Sequence, residues 1–290
     1  MLEDYVTVNT TEFSYLPWAE RIAHLKERHG FRTLEVGVGR TKNGDELERV
    51  AELLHTQEIG VAAAHDWYPF FAPNDAEGIA EMERRFVRNI ERAARLGADR
   101  LIWYTGENER YAGDEAVEAL GNRLQNVLKE AERHGVDLLL ETEFSPHGTD
   151  PGARVALLKK LMTDFAHPRL GINFDAANVY VADEEPFPYA YDELKPWIRH
   201  VHLKDVFLRH PDNPERNERG HPQKGHSRTC ICCPVGEGAV NYTGLLNALQ
   251  ADGYAGYLCL ETHVPRPFND RTVERGLAFI RKHYQRGESS

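Results

Sequence analysis

Long apolar runs, disulfide-forming cysteines, basic charge and a nucleotide-binding glycine motif are all scarce or missing in this chain of 290 residues. No apolar stretch approaches the roughly 18–20 residues that a membrane span requires, so no membrane partner is expected. The opening MLEDYVTVNT is acidic and lacks the basic and apolar regions of a secretory leader; the expected location is cytoplasmic. Four cysteines, Cys230, Cys232, Cys233 and Cys259, make no disulfide framework in a chain this long, and three of them crowd into TCICC. Lys and Arg number 35 against 46 Asp and Glu, a formal net charge of −11. Wrapping nucleic acid needs a concentrated basic surface, so no nucleic-acid partner is expected. Low-complexity sequence is limited to the terminal RGESS.

What is present is a 41% hydrophobic chain in which strand-like and helix-like segments alternate. Apolar runs predict strands near 4–9, 32–38, 60–66, 99–104, 136–142, 169–175, 199–203 and 256–261. Helical patterns lie between them, near 16–29, 44–57, 77–96, 114–134, 151–163, 189–197, 242–252 and 270–286. In 77–96, Ile79, Met82, Phe86, Ile90 and Ala93 recur at three- and four-residue steps and form one apolar stripe. Asp150 before Pro151 reads as a helix start. ERHG closes a helix at 27–30 and again at 132–135, where glycine can take the left-handed conformation.

Eight such strand–helix units without a Pro-, Gly- or Ser-rich linker predict one domain over 1–290, a single (β/α)8 TIM barrel. A doubly wound open sheet is the rival, but GVGRTKNG after the second strand lacks its phosphate-binding fingerprint. One polar connection, 206–241, is too long for an ordinary loop and is expected over or beside the active site.

In such a barrel the chemistry sits at the C-terminal ends of the strands. Those ends carry Asn9, Glu35, His65, Tyr104, Glu141, Asp175, His202 and Glu261. Carboxylates closing buried strands are costly unless their charge is compensated. Glu141, Asp175, His202 and Glu261 come from four consecutive strands and make a set of three carboxylates and one imidazole. That set suits a divalent cation, Mn²⁺ before Mg²⁺, with Co²⁺ or Zn²⁺ also able to bind.

The segments LLLETEF, LGINFDAANV, HVHLKD, PVGEGAVNY and YLCLETH, in this order, resemble the xylose isomerase-like TIM-barrel superfamily of sugar isomerases and epimerases. The resemblance is clearest from about 136 to 263. It implies the same four metal ligands, with Glu141 and Glu261 also acting as acid and base on opposite faces of a sugar. Related epimerases carry a histidine three residues after the strand-six aspartate and an acid six residues past the strand-five glutamate. Here those substrate-contacting places hold Asn178 and His147.

Further substrate-binding candidates are His65, Glu143, Lys204 and Trp67. His200 shares the face of His202 and is expected to pack or support, and Asp205 to cap or orient. The loop residues His210, His221, His226, Cys230, Cys232 and Cys233 are read as an active-site cover or a homo-oligomer contact, with a structural zinc site as the lesser alternative. The leading function is a metal-dependent isomerase or epimerase acting on a sugar, keto-sugar or keto-polyol through an enediolate. The alternative is a lyase or dehydratase on a keto-inositol or keto-glycoside. DNA repair of the endonuclease IV type is disfavoured by the acidic charge and the single histidine ligand, and a non-enzymatic binding barrel is the remaining alternative.

Overall fold

Apolar runs, most of them preceded by a helix that ends in glycine or a polar turn, fold here as parallel strands. A computed structural model describes residues 2–38, 44–146 and 150–285. The barrel strands are β1 (Val6–Val8), β2 (Thr33–Gly37), β3 (Gly60–Pro69), β4 (Arg100–Tyr104), β5 (Asp137–Glu141), β6 (Leu170–Asp175) and β7 (Ile198–Leu203). After β7 come β8 (Asp205–Leu208), β9 (Pro222–Lys224) and β10 (Thr229–Cys233), and β11 (Tyr257–Leu260) completes the barrel. Its order is β1-β11-β7-β6-β5-β4-β3-β2, and the two ends meet at a parallel bridge between Asn9 and Glu35. The result is a nearly closed eight-stranded (β/α)8 TIM barrel.

Helices α1 (Trp18–His29), α2 (Gly44–Thr56), α3 (Ala76–Arg95), α4 (Gly113–His134) and α5 (Val155–Asp164) cover the first five strands. On α3, Phe86, Ile90 and Ala93 are buried as the stripe predicts, while Ile79 and Met82 are half-buried. Both ERHG glycines cap their helices in the left-handed region, Gly30 at φ 77° and Gly135 at φ 70°. Asp150 does cap a turn, accepting from Gly152 N at 2.7 Å, but that turn is the short 3₁₀ segment Pro151–Ala153 and α5 begins beyond it.

Two expectations change. The helix expected at 189–197 is broken into three pieces, Pro186–Ala190, α7 (Tyr191–Leu194) and Lys195–Trp197, and a separate α6 (Ala176–Val181) precedes it. Pro186, Pro188 and Pro196 lack the N–H that a continuous helix would need. The long connection is also no irregular loop. It contains α8 (Pro214–Asn217) and an antiparallel sheet in the order β8-β10-β9, followed by α9 (Tyr242–Ala251); α10 (Asn269–His283) closes the fold. Val206, Cys230 and Cys232 are buried as apolar residues along β8 and β10, so cysteine here supplies core volume. Burial pushes the thiols of Cys230 and Cys232 up to about 11 and about 12.

This small sheet leans on the C-terminal side of the barrel. His221 N donates to His263 O just past β11, at 2.9 Å. Ser227 N and Oγ donate to Asp183 beyond α6, at 3.0 and 2.6 Å. Asp205 ties its base together. Its carboxylate accepts from the backbone N–H of Val206, Gly236, Gly238 and Val240 at 2.8–3.3 Å. A Cβ at Gly238 would collide with that carboxylate, which is why GEG follows HLKD. Burial nevertheless pushes the Asp205 carboxyl up to about 6.

Candidate active site

Alternation along the strands turns Thr7, Asn9, Glu35, His65, Asn173, Asp175, His200, His202, Cys259 and Glu261 toward the barrel axis, all at 1% exposure or less. The lumen is therefore filled largely by polar groups, and each needs a partner. Ala63, Ile102 and Leu139 form a small apolar cluster of their own on the same faces of β3, β4 and β5.

At the upper end, one ligand-type atom each from Glu141, Asp175, His202 and Glu261 lies within 4.8 Å of the others. Register explains the convergence, since Asp175 and Cys259 both sit level with His202 on neighbouring strands. His202 Nδ1 is 3.3 Å from both Glu141 Oε2 and Glu261 Oε2. Asp175 uses Oδ1 to cap α6, accepting from Ala177 N and Asn178 N, and its Oδ2 faces Lys204 Nζ at 2.8 Å. Lys204 Nζ is also 3.3 Å from Glu261 Oε2. Burial disfavours the Lys204 ammonium, but Asp175, Glu261 and Glu141 outweigh it and hold its pKa well above the ordinary value.

The electrostatics show too much negative charge in a small volume. Burial, aided by Glu261 and Asp175, raises the Glu141 carboxyl against the opposing pull of His202. Burial and Glu141 raise Glu143 well above the usual range. Burial also works against an ionised Glu261, yet His202, His263 and Lys204 bring it well below. His202, despite burial, is held well above its ordinary value by Glu35, Glu261 and Glu141. Three carboxylates and one imidazole at these spacings, short of positive charge and almost free of solvent, fit an oxygen-preferring divalent cation.

Sequence reasoning underrated Glu35, which appeared only as a strand end. Its carboxylate accepts from Asn9 Nδ2 at 2.8 Å and lies 2.9 Å from His65 Nδ1. His200 Nε2 and His202 Nε2 meet it at 3.1 and 2.9 Å. Burial opposes the charge, but the histidines hold Glu35 well below the usual range. Asn9 Nδ2 also donates to Glu261 Oε1 at 2.9 Å, and Asn173 Nδ2 to Glu141 Oε2 at 2.9 Å. The available signal was positional: three inward histidines on two strands require a buried acceptor.

The other sequence candidates fall in different places. Asn178 Nδ2 donates to Glu141 Oε1 at 3.1 Å and to Thr142 O at 3.0 Å, so this amide steadies Glu141. Glu143 is half-buried and accepts from Phe144 N at 3.1 Å. His65 packs edge-on against Trp67, 3.7 Å between centroids. Gly37 makes room for the pair, because a Cβ there would lie 2.8 Å from the Trp67 ring. Trp67 also lines a cleft of about 300 Å³ with Thr11, Tyr15, His221, His263 and Arg266. His147 lies outside the described residues. His263 was missed as well: it adopts φ 45° and its Nε2 stands 3.4 Å from Glu261 Oε2. Its backbone N–H donates to Glu12 Oε1 at 3.0 Å. Among the described residues the histidines and cysteines of β8–β10 form no common ligand group, and all four cysteines are free.

The family model of the xylose isomerase-like TIM barrel matches residues 23–283, and the chain belongs to that family. An inosose dehydratase from Lacticaseibacillus casei is 21% identical over 247 residues, 80% of this chain and 78% of that protein. Among solved structures, the IOLI protein with a bound zinc atom superposes with TM-score 0.75 at 17% identity, over 97% of this chain and 99% of that one. A 3-keto-D-glucoside 4-epimerase from E. coli gives TM-score 0.73 at 16% identity, over 96% and 99%. The chain is thus similar in sequence to a protein named as a dehydratase and in fold to one named as an epimerase. Among the described residues no helix is long and apolar enough to cross a membrane.

Proposed function

We propose that this protein is a divalent-metal-dependent isomerase or epimerase of a sugar, keto-sugar or keto-polyol, with Glu141, Asp175, His202 and Glu261 as metal ligands. The observation that carries this reading is the four-atom donor set, drawn from β5, β6, β7 and the end of β11, within 4.8 Å. A bound Mn²⁺, or Mg²⁺, Co²⁺ or Zn²⁺ in its place, would polarise a substrate carbonyl. Glu141 Oε2 and Glu261 Oε2 both lie 3.3 Å from His202 Nδ1, and in our reading the two carboxylates serve opposite faces of a substrate carbon. One takes the proton beside the carbonyl, and the other returns a proton to the opposite face. Asn178 and Asn173 fix the Glu141 oxygens, and Asn9 fixes one oxygen of Glu261. Substrate enters through the cleft beside His263, where the Trp67 face suits sugar C–H surfaces.

Elimination is the second reading. Lys204 Nζ and His263 Nε2, at 3.3 and 3.4 Å from Glu261, could protonate a departing β-hydroxyl after the same proton is removed. The similarity to an inosose dehydratase supports it. Metal analysis of the purified protein, then incubation of ketoses, keto-inositols and keto-glycosides in deuterated water, separates the readings. Deuterium wash-in with an epimeric or isomeric product is expected; loss of water from the substrate would favour the lyase. If no divalent metal binds and no substrate exchanges its proton, the central reading is wrong.

A further inference from the structure

Outside the barrel, the C-terminal half of α1 and the first turn of α10 bring three ligand-type side chains to one point. His24 Nε2 lies 2.7 Å and His29 Nε2 2.8 Å from the same oxygen, Asp270 Oδ1. The three groups satisfy a 4.8 Å mutual spacing and share no residue with the barrel site. Arg28 Nε approaches that oxygen as well, at 3.5 Å, so three nitrogens crowd an atom with two lone pairs. The rings are held in advance by their packing. Phe13 lies 5.2 Å from His24 and 6.0 Å from His29 between centroids, and Phe31 lies 6.2 Å from His29. The His29 side chain is 1% exposed, whereas His24 and Asp270 are 24% and 31% exposed. The arrangement has a dry floor and an open side.

We propose that His24, His29 and Asp270 form a second metal site, for a divalent ion of the zinc class, with solvent at the remaining position. Two imidazoles and one carboxylate are a donor set such ions accept, with an open fourth place. Burial lowers the His29 pKa, which favours the neutral imidazole a metal requires. An ion there would take over as the common partner of both rings and leave Arg28 free to turn outward, where half of its side chain already lies exposed. It would also pin α10 to α1 one residue from Asn269, which lines the cleft with Tyr15 and Arg266. The ion would therefore brace the cleft wall without touching substrate.

Zinc titration of the EDTA-treated full chain, read by calorimetry and by metal content after dialysis, tests the site. Wild type is expected to hold one more equivalent than His24→Ala or Asp270→Asn, with a dissociation constant on the order of micromolar or tighter. Circular dichroism in EDTA checks that each variant folds. If those variants fail to fold, Arg28→Ala decides: removing the competing cation should tighten zinc binding several-fold, and unchanged or weaker binding overturns the proposal. Equal zinc content in wild type and folded ligand variants also overturns it. A Glu141→Gln/Glu261→Gln protein separates the two metal readings. It should lose the barrel equivalent and keep this one; if it loses nothing while His24→Ala still does, only the barrel reading fails.

Discussion

Glu35 shows how one carboxylate sets the state of its neighbours. His202 directs Nε2 at Glu35 and Nδ1 toward Glu141 and Glu261, so an Nε2–H donated to Glu35 would leave Nδ1 as the nitrogen that a bound metal takes in place of a proton. In Glu35→Gln an amide NH₂ replaces one acceptor oxygen among four donors. Metal affinity is expected to fall about 10- to 100-fold with the fold retained, measured by titration calorimetry; unchanged affinity would remove Glu35 from this role. Glu141→Gln and Glu261→Gln should each lower turnover by about 10²- to 10⁴-fold, read in the proton-exchange assay with circular dichroism unchanged. The four strand-end ligand candidates were legible because each closes an apolar run where a lone charge is anomalous. The link from Glu35 to His65 and His200 was not legible, since it depends on β2, β3 and β7 facing one lumen. The contact of the Asn178 amide with Glu141 and Thr142 was not legible either, since it required the turn into α6.

At the scale of elements, the eight barrel strands follow from apolar runs, and the glycine stops of α1 and α4 from ERHG. The sheet β8-β10-β9 was hidden because its strands are short and interrupted by charged turns, and TCICC reads as part of an active-site cover or oligomer contact rather than as a strand. Burial of those thiols has a direct consequence. The native protein is expected to leave Cys230 and Cys232 unmodified by a thiol reagent at pH 8, while denaturant exposes all four cysteines. Rapid native labelling of either would place them at the surface. Asp205→Asn should destabilise the protein by about 2–4 kcal/mol, because an amide cannot serve four N–H donors. The folded Asp205 carboxyl titrates near 6 against an ordinary 3.8, so the folded state binds more protons between these values. The stabilising difference between wild type and Asp205→Asn therefore falls as pH rises from about 4 to about 6. Urea unfolding of both proteins across that range measures it.

For the whole molecule, a ligand that binds only the folded barrel stabilises it by mass action. Divalent metal at about 100 times its dissociation constant should add about 2.7 kcal/mol, seen as a higher Tm that EDTA reverses. Barrel topology was legible because strand and helix periods alternate without a break, and parallel strands joined by helices have few other ways to close. The Trp67–His263 cleft was not, since it is assembled from segments more than 190 positions apart.

The bridge between Asn9 and Glu35 joins the two edges of the barrel, and the Asn9 amide spans Glu35 and Glu261. During synthesis, β2 to β7 can emerge and begin to pair, but Glu261 is among the last barrel residues made and needs β1, the first, beside it. Competence of the barrel site to bind metal should thus arise late and all at once, when Glu261 is free to close against β1. A truncation ending before β11 would have most of a barrel and no ion-binding capacity, and adding the missing C-terminal segment in trans would restore both together.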